Sequence, residues 1–173
     1  MNTFLGASIK FNINSFDERY ITNSSMIYIE GYLFDQPEAK EAIYNCCILA
    51  KSQNKKVALS LSDLFCVDRH RIDFLNLIEN YVDIIFANEH EIKSLYKSDL
   101  AQSINTIKNK VDFGAITLGS KGAIVFENIT QYYIDPIFIE ELVDTTGAGD
   151  LFAAGFLFGF VNKWSIEKCG YLG

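Results

Sequence analysis

Residues 142–160 have the sequence LVDTTGAGDLFAAGFLFGF, in which a turn of small residues is followed at once by a long apolar run. Gly147 and Gly149 allow the backbone to turn tightly and to approach a ligand closely. The run after Asp150 is long enough for a helix of about four turns. A helix that starts at such a turn presents unpaired N–H groups, with the positive end of its dipole behind them. The stretch therefore predicts an anion site, most naturally for phosphate.

Asp150 falls in the first turn of this predicted helix, where a carboxylate is electrostatically favourable. A carboxylate beside a phosphate is repelled by it, which indicates a further role. Taking a proton from an attacking hydroxyl group is the chemistry that fits. On these residues alone a structural interpretation stays open, because Asp at a helix start is usually a cap and Gly-Ala-Gly is often only a turn.

The complete heptad DTTGAGD, residues 144–150, resembles the second signature of the ribokinase-like (PfkB) carbohydrate kinases at every position. The resemblance implies that Asp150 is the catalytic base that activates the acceptor hydroxyl. It also implies that the amides of Gly147, Ala148 and Gly149 hold the charge that develops on the transferred phosphoryl group.

A second motif, Asn88-Glu89-His90-Glu91, follows a predicted strand. Its residues Asn88 and Glu91 resemble the Asn-x-x-Glu motif of the same family, which implies a role in organising Mg²⁺ and phosphates. Mg²⁺ held mainly through water and phosphate requires only one or two protein oxygens. From the residues alone, a helix cap with acids in the first turn is the alternative. The resemblance further places Asp144 and Thr146 at positions that the family uses around a monovalent cation, K⁺.

The turn Gly119-Ser120-Lys121-Gly122 follows another predicted strand, and an ordinary tight turn is one interpretation of it. The resemblance places Thr117, Gly119 and Gly122 at the turn where the family binds ATP. Glycine there would let the backbone come close to ribose or phosphate. A lysine in an exposed turn, such as Lys121, is more often solvated than bound to phosphate.

Apolar runs and amphipathic patterns alternate along the chain. They predict strands over residues 26–34, 56–61, 83–87, 113–118, 123–126 and 131–134. They predict helices over residues 38–54, 68–80, 89–96, 100–108 and 166–172, besides the one after Asp150. Asp68 is the expected cap of the second of these helices and Ile72 one of its buried residues. The alternation predicts an α/β sheet covered on both faces, with strand carboxyl ends on one edge. The resemblance implies a ribokinase-like three-layer sandwich with a mostly parallel sheet.

Composition restricts the class of protein. The chain has 173 residues, which is the length of a single domain. Of these residues 49% are hydrophobic, which is enough to form a hydrophobic core. The formal charge is −7 and no basic block occurs, which argues against nucleic acid and anionic membrane surfaces as partners. The apolar run 151–161 is shorter than the roughly 20 residues of a membrane span.

The four cysteines have no metal or redox spacing, and no signal peptide precedes them. They are therefore expected to be reduced thiols of a cytoplasmic protein. His70 and His90 are isolated in the sequence and do not predict a metal site.

The resemblance covers nearly all of residues 1–173, but only the C-terminal part of a single ribokinase-like kinase domain. We therefore expect truncation at both ends, with the N-terminal strands and the lid absent. The implied function is ATP-dependent phosphoryl transfer to a primary hydroxyl of a sugar or nucleoside. Lost acceptor positioning should leave this fragment with little activity, since positioning can account for several kcal/mol. Residues 60–75 and 86–96 resemble adenosine-kinase-like bacterial members in particular.

Two alternatives stay open. One is a non-catalytic remnant that binds nucleotide or a partner, for which the exposed strand edge predicts self-association or pairing with a missing N-terminal half. The other is an unrelated nucleotide-binding protein. It is disfavoured because neither GxxxxGK[ST] nor a GxGxxG after the first strand occurs.

Overall fold

A computed structural model of the chain describes residues 6–138, 140–141 and 143–173. Of the stretch quoted above, Leu142 lies outside the described residues. The fold is α/β with a six-stranded, mostly parallel sheet, as the sequence predicts. The chain divides into two compact units, Met1–Asp83 and Ile84–Gly173. Within the described ranges, no helix combines the length and the apolar character that crossing a membrane requires.

The first unit contains two parallel strands, β1 (Met26–Glu30) and β2 (Lys56–Ser60). Its helices are α1 (Glu18–Thr22), α2 (Pro37–Ser52) and α3 (Leu64–Asn80). Short 3-10 segments cover Gly6–Lys10, Ile13–Ser15 and Gly31–Asp35. The predicted strand 56–61 and helix 38–54 are confirmed to within two residues at each end, and Pro37 opens α2, where its missing N–H is not needed. Helix α1 was not predicted; Asp17 caps it through a bond from the Arg19 N–H.

The first predicted strand is too long. Strand β1 ends at Glu30, and Gly31 begins a 3-10 segment instead of continuing the strand. The Gly31 carbonyl accepts a hydrogen bond from the Cys66 Sγ at 3.1 Å, so a group of α3 satisfies it. A Cβ at Gly31 would also lie 3.0 Å from the Ser60 carbonyl oxygen, so a side chain there would require the backbone at the end of β2 to shift.

The prediction for α3 was wrong at its start. The helix begins at Leu64, and its cap is Asp63, whose Oδ1 accepts from the Cys66 N–H at 2.5 Å, so Asp68 is an interior residue. Ile72 is not buried but 80% exposed. Phe74, which is fully buried, lies two residues away, or about 200° around the helix. The core side of α3 is therefore the Phe74 side.

The second unit contains the remaining four strands. Strands β3 (Ile84–Asn88) and β4 (Phe113–Thr117) are parallel, whereas β5 (Ala123–Glu127) is antiparallel to β4, and β6 (Thr130–Ile134) is antiparallel to β5. The helices are α4 (Glu89–Tyr96), α5 (Leu100–Lys108), α6 (Ala148–Val161) and α7 (Ile166–Leu172). The predicted helices 89–96, 100–108 and 166–172 are confirmed. The predicted strand 83–87 is shifted by one residue at both ends, and the other three predicted strands of this unit differ by one residue at one end.

Helix α6 runs antiparallel to β3 and β4, as two ring contacts establish. The ring centroids of Phe156 and Phe86 are 5.3 Å apart, and those of Phe160 and Phe113 are 4.9 Å apart. Phe113 pairs in register with Ile84, the first residue of β3, whereas Phe86 lies two residues further along that strand. The earlier residue of α6 thus contacts the later residue of the strands. The N-terminus of α6 is consequently directed to the edge where β3 and β4 end.

Candidate functional site

Three of the predicted motifs lie at one edge of the second unit. Strands β3 and β4 end at Asn88 and Thr117, which are register partners. The Asn-x-x-Glu motif and the Gly119–Gly122 turn follow these two residues directly. The N-terminus of α6 is directed to the same edge, so the DTTGAGD turn that precedes this helix lies there as well. Carboxyl ends of parallel strands are the usual place for a ligand in an α/β fold.

The turn before α6 has the conformation that its glycine predicts. Gly147 is the N-cap residue and has a left-handed backbone, with φ 77° and ψ 3°, which an L-residue adopts only at a cost. The Ala148 N–H donates to the Thr145 carbonyl at 3.1 Å, so this one of the three predicted amides is already bonded within the turn. Among the residues that the structure describes, no acceptor faces the N–H groups of Gly147 and Gly149. Two amides are therefore available to an anion.

Asp150 stands beside these amides at the protein surface. Its side chain is exposed, and its Oδ2 lies 3.9 Å from the place that a Cβ on Gly147 would occupy. A Cβ on Gly149 would meet nothing within 4 Å, so the space over the start of α6 is open. A ligand can therefore reach the amides and the carboxylate together.

Asp144 holds the first half of the same turn. Its Oδ1 accepts from the Thr146 N–H at 2.9 Å and from the Thr146 Oγ1 at 2.8 Å. The backbone bond from Thr146 chiefly, and then the hydroxyl bond, lower the pKa of Asp144. The carboxylate thus stays ionised and fixes the loop before Gly147. Its role toward a monovalent cation, shared with Thr146, stays a prediction.

Asn88 and Glu91 form a closed capping box at the start of α4. Glu91 is only 5% exposed. Its Oε2 accepts from the Asn88 N–H at 2.8 Å and its Oε1 from the Asn88 Nδ2 at 2.5 Å, while the Glu91 N–H donates to the Asn88 Oδ1 at 2.9 Å. The cap that the residues alone suggested is therefore present, and the role of both residues toward Mg²⁺ stays a prediction.

The two glycines of the turn after β4 have different surroundings. Gly119 has φ 61° and open space where a Cβ would be, so the backbone there is accessible to a ligand. Gly122 has φ 90°, and a Cβ on it would lie 2.0 Å from the Ile134 carbonyl oxygen. Packing against the end of β6 is thus sufficient to explain why residue 122 is a glycine. The Tyr133 hydroxyl donates to the Lys121 carbonyl and holds the turn.

Comparison with known proteins identifies the family. All of residues 1–173 match the pfkB family of carbohydrate kinases. The chain belongs to this family. It is similar to a probable sugar kinase from Rhizobium etli CFN 42, with 42% identity and a TM-score of 0.95 over 99% of this chain and 53% of that one. It is similar to the adenosine kinase from Sinorhizobium meliloti, with 38% identity and a TM-score of 0.95 over 99% of this chain and 53% of that one.

A third solved structure was determined with a nucleotide. It is an E. coli protein assigned as a ribokinase II, in complex with ATP and Mg²⁺, with 20% identity and a TM-score of 0.82 over 94% of this chain and 56% of that one. This PfkB chain spans about half the length of the curated relatives it matches, for example 51% of the first of them.

The first unit of the PfkB chain has a polar cluster that sequence reasoning did not single out. The Glu30 carboxylate accepts from the Tyr28 hydroxyl at 2.5 Å and from the Ser62 Oγ at 2.8 Å. Ser62 Oγ also accepts from the Tyr32 N–H at 3.3 Å, and Ser62 has a left-handed φ of 68°. A non-glycine residue is held in that conformation only where its surroundings fix it. The available signal was the polar pair Ser62-Asp63 at the carboxyl end of the second predicted strand.

His70 belongs to a cluster of hydrogen-bonded side chains around Asp35. Its Nε2 lies 2.7 Å from the Asp35 Oδ1, and Arg69 makes two further bonds to the Asp35 carboxylate. His70 borders a cavity of about 400 Å³ in the first unit, lined also by Phe34, Asp35, Pro37, Lys40, Glu41 and Tyr44. Over the described residues, no group of three or more His, Cys, Asp and Glu side chains is arranged to hold a metal. All four cysteines are free.

Proposed function

We propose that this chain carries the phosphate-binding and base-bearing part of a PfkB kinase that transfers a phosphoryl group from ATP to a primary hydroxyl of a sugar or nucleoside. One observation supports this most strongly. An exposed carboxylate, Asp150, stands beside the N–H groups of Gly147 and Gly149, which have no hydrogen-bond acceptor among the described residues, at the edge where β3 and β4 end. A phosphate bound by those amides would lie within reach of the carboxylate.

In the proposed reaction Asp150 accepts the proton of the attacking hydroxyl. The hydroxyl oxygen forms a bond to the terminal phosphorus of ATP, the bond from that phosphorus to the bridging oxygen breaks, and ADP leaves. The proton remains on Asp150 until solvent removes it. The N–H groups of Gly147 and Gly149 donate to phosphoryl oxygens, where charge is concentrated in the transition state. Such catalysis consists of positioning and electrostatic stabilisation.

The residues at this edge fit Mg-ATP. The open space over Gly149 and its free N–H suit a phosphate, and the backbone at Gly119 is accessible to ribose or phosphate. Asn88 and Glu91 are the residues proposed to organise Mg²⁺ through water and phosphate, and Mg²⁺ would supply charge neutralisation between the phosphates when bound. Asp144 and Thr146 are the proposed neighbours of K⁺.

The acceptor belongs to the sugars or nucleosides. The two solved structures with 42% and 38% identity are a probable sugar kinase and an adenosine kinase, which supports both classes. We favour a nucleoside, because residues 60–75 and 86–96 resemble adenosine-kinase-like members. Both classes offer a primary hydroxyl, so the same base and the same amides serve either.

The test is phosphoryl transfer by the purified chain. The chain is incubated with ATP, Mg²⁺ and a panel of sugars and nucleosides, and products are detected by ³¹P NMR. Replacing Asp150 by Asn should lower any transfer about 10²- to 10⁴-fold while ATP binding is kept, because only the proton acceptor is lost. Glu167→Gln, a change of an exposed acid in the first turn of α7, is the control and should leave transfer unchanged. Equal transfer by Asp150→Asn and the unchanged chain would refute the assignment of the base.

A second candidate function is nucleotide binding without transfer. The chain spans about half the length of its relatives, and the described residues account for contacts to a nucleotide phosphate and for none to an acceptor. ATP binding with no product from any acceptor would support this candidate. Absence of ATP binding would refute both.

A further inference from the structure

We propose that the cavity of the first unit binds a small organic cation, in which a primary ammonium group is attached to a flat apolar body. The cavity has a volume of about 400 Å³, which is within the roughly 300–1,000 Å³ of small-molecule sites. Its lining residues come from the 3-10 segment Gly31–Asp35, from the start of α2 and from α3 at His70, where the backbone departs from helical angles. All of them belong to the first unit, so the inference does not depend on the proposed phosphoryl transfer.

Part of the lining is aromatic and apolar. Phe34, Pro37 and Tyr44 contribute to it, and the rings of Phe34 and Tyr44 meet edge to face with their centroids 6.4 Å apart. Pro37 and Tyr44 are seven residues apart in α2, so they lie on the same face of the helix. Aromatic rings offer an apolar surface to a flat ligand and a negative face to a cation. The Lys40 Nζ already lies 5.8 Å from the centroid of the Phe34 ring, so the cavity accommodates a cationic group of the protein itself.

The basic groups in and beside the lining already have acidic partners. The Lys40 Nζ donates to the Asp73 Oδ2 at 2.6 Å. Arg69 donates two bonds to the Asp35 carboxylate, and the His70 Nε2 lies 2.7 Å from the Asp35 Oδ1. An anionic ligand would therefore have to compete with carboxylates that are already bound to these groups.

The lining still offers acceptors that lack a donor. Glu41 is exposed, and within the described part of the chain its carboxylate has no partner. A carboxylate only accepts, so while His70 is neutral its proton is on the Nε2 that faces Asp35, and its Nδ1 carries a lone pair. The Asp73 Oδ2, 3.9 Å from this Nδ1, is too far for a hydrogen bond and is itself an acceptor. An ammonium group brings three N–H donors, which suit such acceptors.

The charges around the cavity also favour a cation. Three acidic side chains and two basic ones surround it, which leaves one negative charge in excess while His70 is neutral. These side chains are Asp35, Glu41 and Asp73 on the acidic side and Lys40 and Arg69 on the basic side. A ligand with one positive charge balances this excess, whereas an anion adds to it.

Tyramine is the probe, because it combines an ammonium group with a single aromatic ring. The purified ¹⁵N-labelled chain is titrated with it at neutral pH and followed by ¹H–¹⁵N correlation spectra. We expect saturable shifts at Phe34, Tyr44 and His70, with a dissociation constant on the order of 1 mM, which is usual for a ligand of about ten non-hydrogen atoms. 4-Ethylphenol lacks the ammonium group, and 3-(4-hydroxyphenyl)propionate carries a carboxylate in its place. Both should bind at least about threefold more weakly.

Two variants with opposite expected effects test the charge argument. Glu41→Gln removes the carboxylate without a partner and should weaken tyramine binding about three- to fivefold. Lys40→Met removes the competing ammonium group, keeps the length of the side chain and should strengthen binding by about the same factor. Glu38→Gln is the matched control, because Glu38 is an exposed acid of the same helix outside the lining, and should leave the dissociation constant unchanged. Gln and Met are both good helix formers, and thermal unfolding of each variant checks that it is folded.

Every outcome bears on the proposal. Saturable tyramine shifts that Glu41→Gln weakens and Lys40→Met strengthens support it. Equal binding of 4-ethylphenol would show only an apolar cavity, and tighter binding of the propionate would show an anion site; either result overturns the proposal. It is also overturned if no saturable shift appears up to about 10 mM tyramine, or if Glu41→Gln changes the affinity no more than Glu38→Gln does. Because ATP is absent from the experiment, its failure leaves the proposed phosphoryl transfer untouched.

Discussion

The ring of Phe156 in α6 lies 5.3 Å from the ring of Phe86 in β3, and this contact determines how far the start of α6 extends past the strands. Asp150 precedes Phe156 by six residues, about 9 Å along a helix. Asn88 follows Phe86 by two residues, about 7 Å along a strand. Because α6 runs antiparallel to β3, both distances are counted toward the same edge. Asp150 of the DTTGAGD turn and Asn88 of the Asn-x-x-Glu motif thus lie at similar distances from the ring contact, toward the same edge of the sheet.

Removing this ring contact should destabilise the fold. Phe156 is fully buried, so Phe156→Ala should lower the free energy of unfolding by about 3–5 kcal/mol. Phe158 is 57% exposed and its main ring partner is Trp164 at 5.9 Å, so Phe158→Ala should cost about 1 kcal/mol. Urea unfolding followed by circular dichroism measures both. Similar losses in the two variants would contradict the packing of α6 on β3 through Phe156.

The two glycines at the start of α6 should respond oppositely to alanine. Gly147→Ala places a side chain on a left-handed backbone and should cost about 1–2 kcal/mol of stability. Gly149→Ala adds a methyl group in open space on a helical residue, so stability should stay the same or rise by up to about 1 kcal/mol. The same methyl group occupies the proposed phosphate position, so ATP affinity should fall. Tight ATP binding by a stable Gly149→Ala variant would place the phosphate elsewhere.

The stability of the protein should fall in alkaline solution because of two adjacent thiols. Burial raises the pKa of Cys46 to about 11 and that of Cys47 to about 12. In the unfolded chain a cysteine titrates near pH 8.5, so the unfolded state loses these protons first as the pH rises. The stabilisation is complete below about pH 8 and is lost progressively above it. Urea unfolding at pH 7.5 and pH 10 should show a smaller decrease for Cys46→Ala/Cys47→Ala than for the unchanged chain; equal decreases would show that other groups are responsible.

Helix α6 presents an apolar surface that should cause self-association. Leu151 is 73% exposed and Phe158 is 57% exposed. Asp150 is the one charged residue of this helix. Exposed apolar patches of this kind mark interaction or aggregation sites. Sedimentation velocity at increasing concentration should show association of the unchanged chain and a monomer for Leu151→Ser/Phe158→Ser. Phe65→Ser, which changes an exposed aromatic residue of α3, should not prevent association. Association that persists in the double variant would exclude this surface.

Periodicity predicted most of the fold because local patterns specify it. The strands β2 to β4 are short apolar runs between polar residues, and α5 has both a cap at Asp99 and one apolar face. The predictions from the sequence were wrong where a residue far away in the chain determines the local structure. The Gly31 carbonyl bonds to Cys66, which lies 35 residues away, and no pattern near Gly31 records this. The start of α3 at Leu64 likewise depends on the bond from the Cys66 N–H to Asp63, and the non-helical backbone at His70 interrupts the helix before Ile72.

The site could be predicted in part. Gly147, Gly149 and Asp150 were singled out because small residues beside an acid are visible in the sequence, and their role toward phosphate stays a prediction. The bond from the Ala148 N–H to Thr145 was not visible, because it depends on the dihedral angles of the turn. The sequence also left two interpretations of Glu91, and only the distances to Asn88 show that the cap is formed. The residue types in the sequence thus indicated where a candidate site lies. Which of its donors and acceptors are already hydrogen-bonded within the protein could be seen only in the structure.

The central claim is that ATP binds at the start of α6, and the amide signals of Gly147 and Gly149 report on it directly. ¹⁵N-labelled chain is titrated with Mg-ATP and followed by ¹H–¹⁵N correlation spectra. The account predicts large, saturable shifts of these two amides, with the Ala148 amide, which is bonded to Thr145, shifting less. Unchanged Gly147 and Gly149 signals at saturating ATP, with shifts confined to residues such as Tyr44 and His70 around the cavity of the first unit, would contradict it.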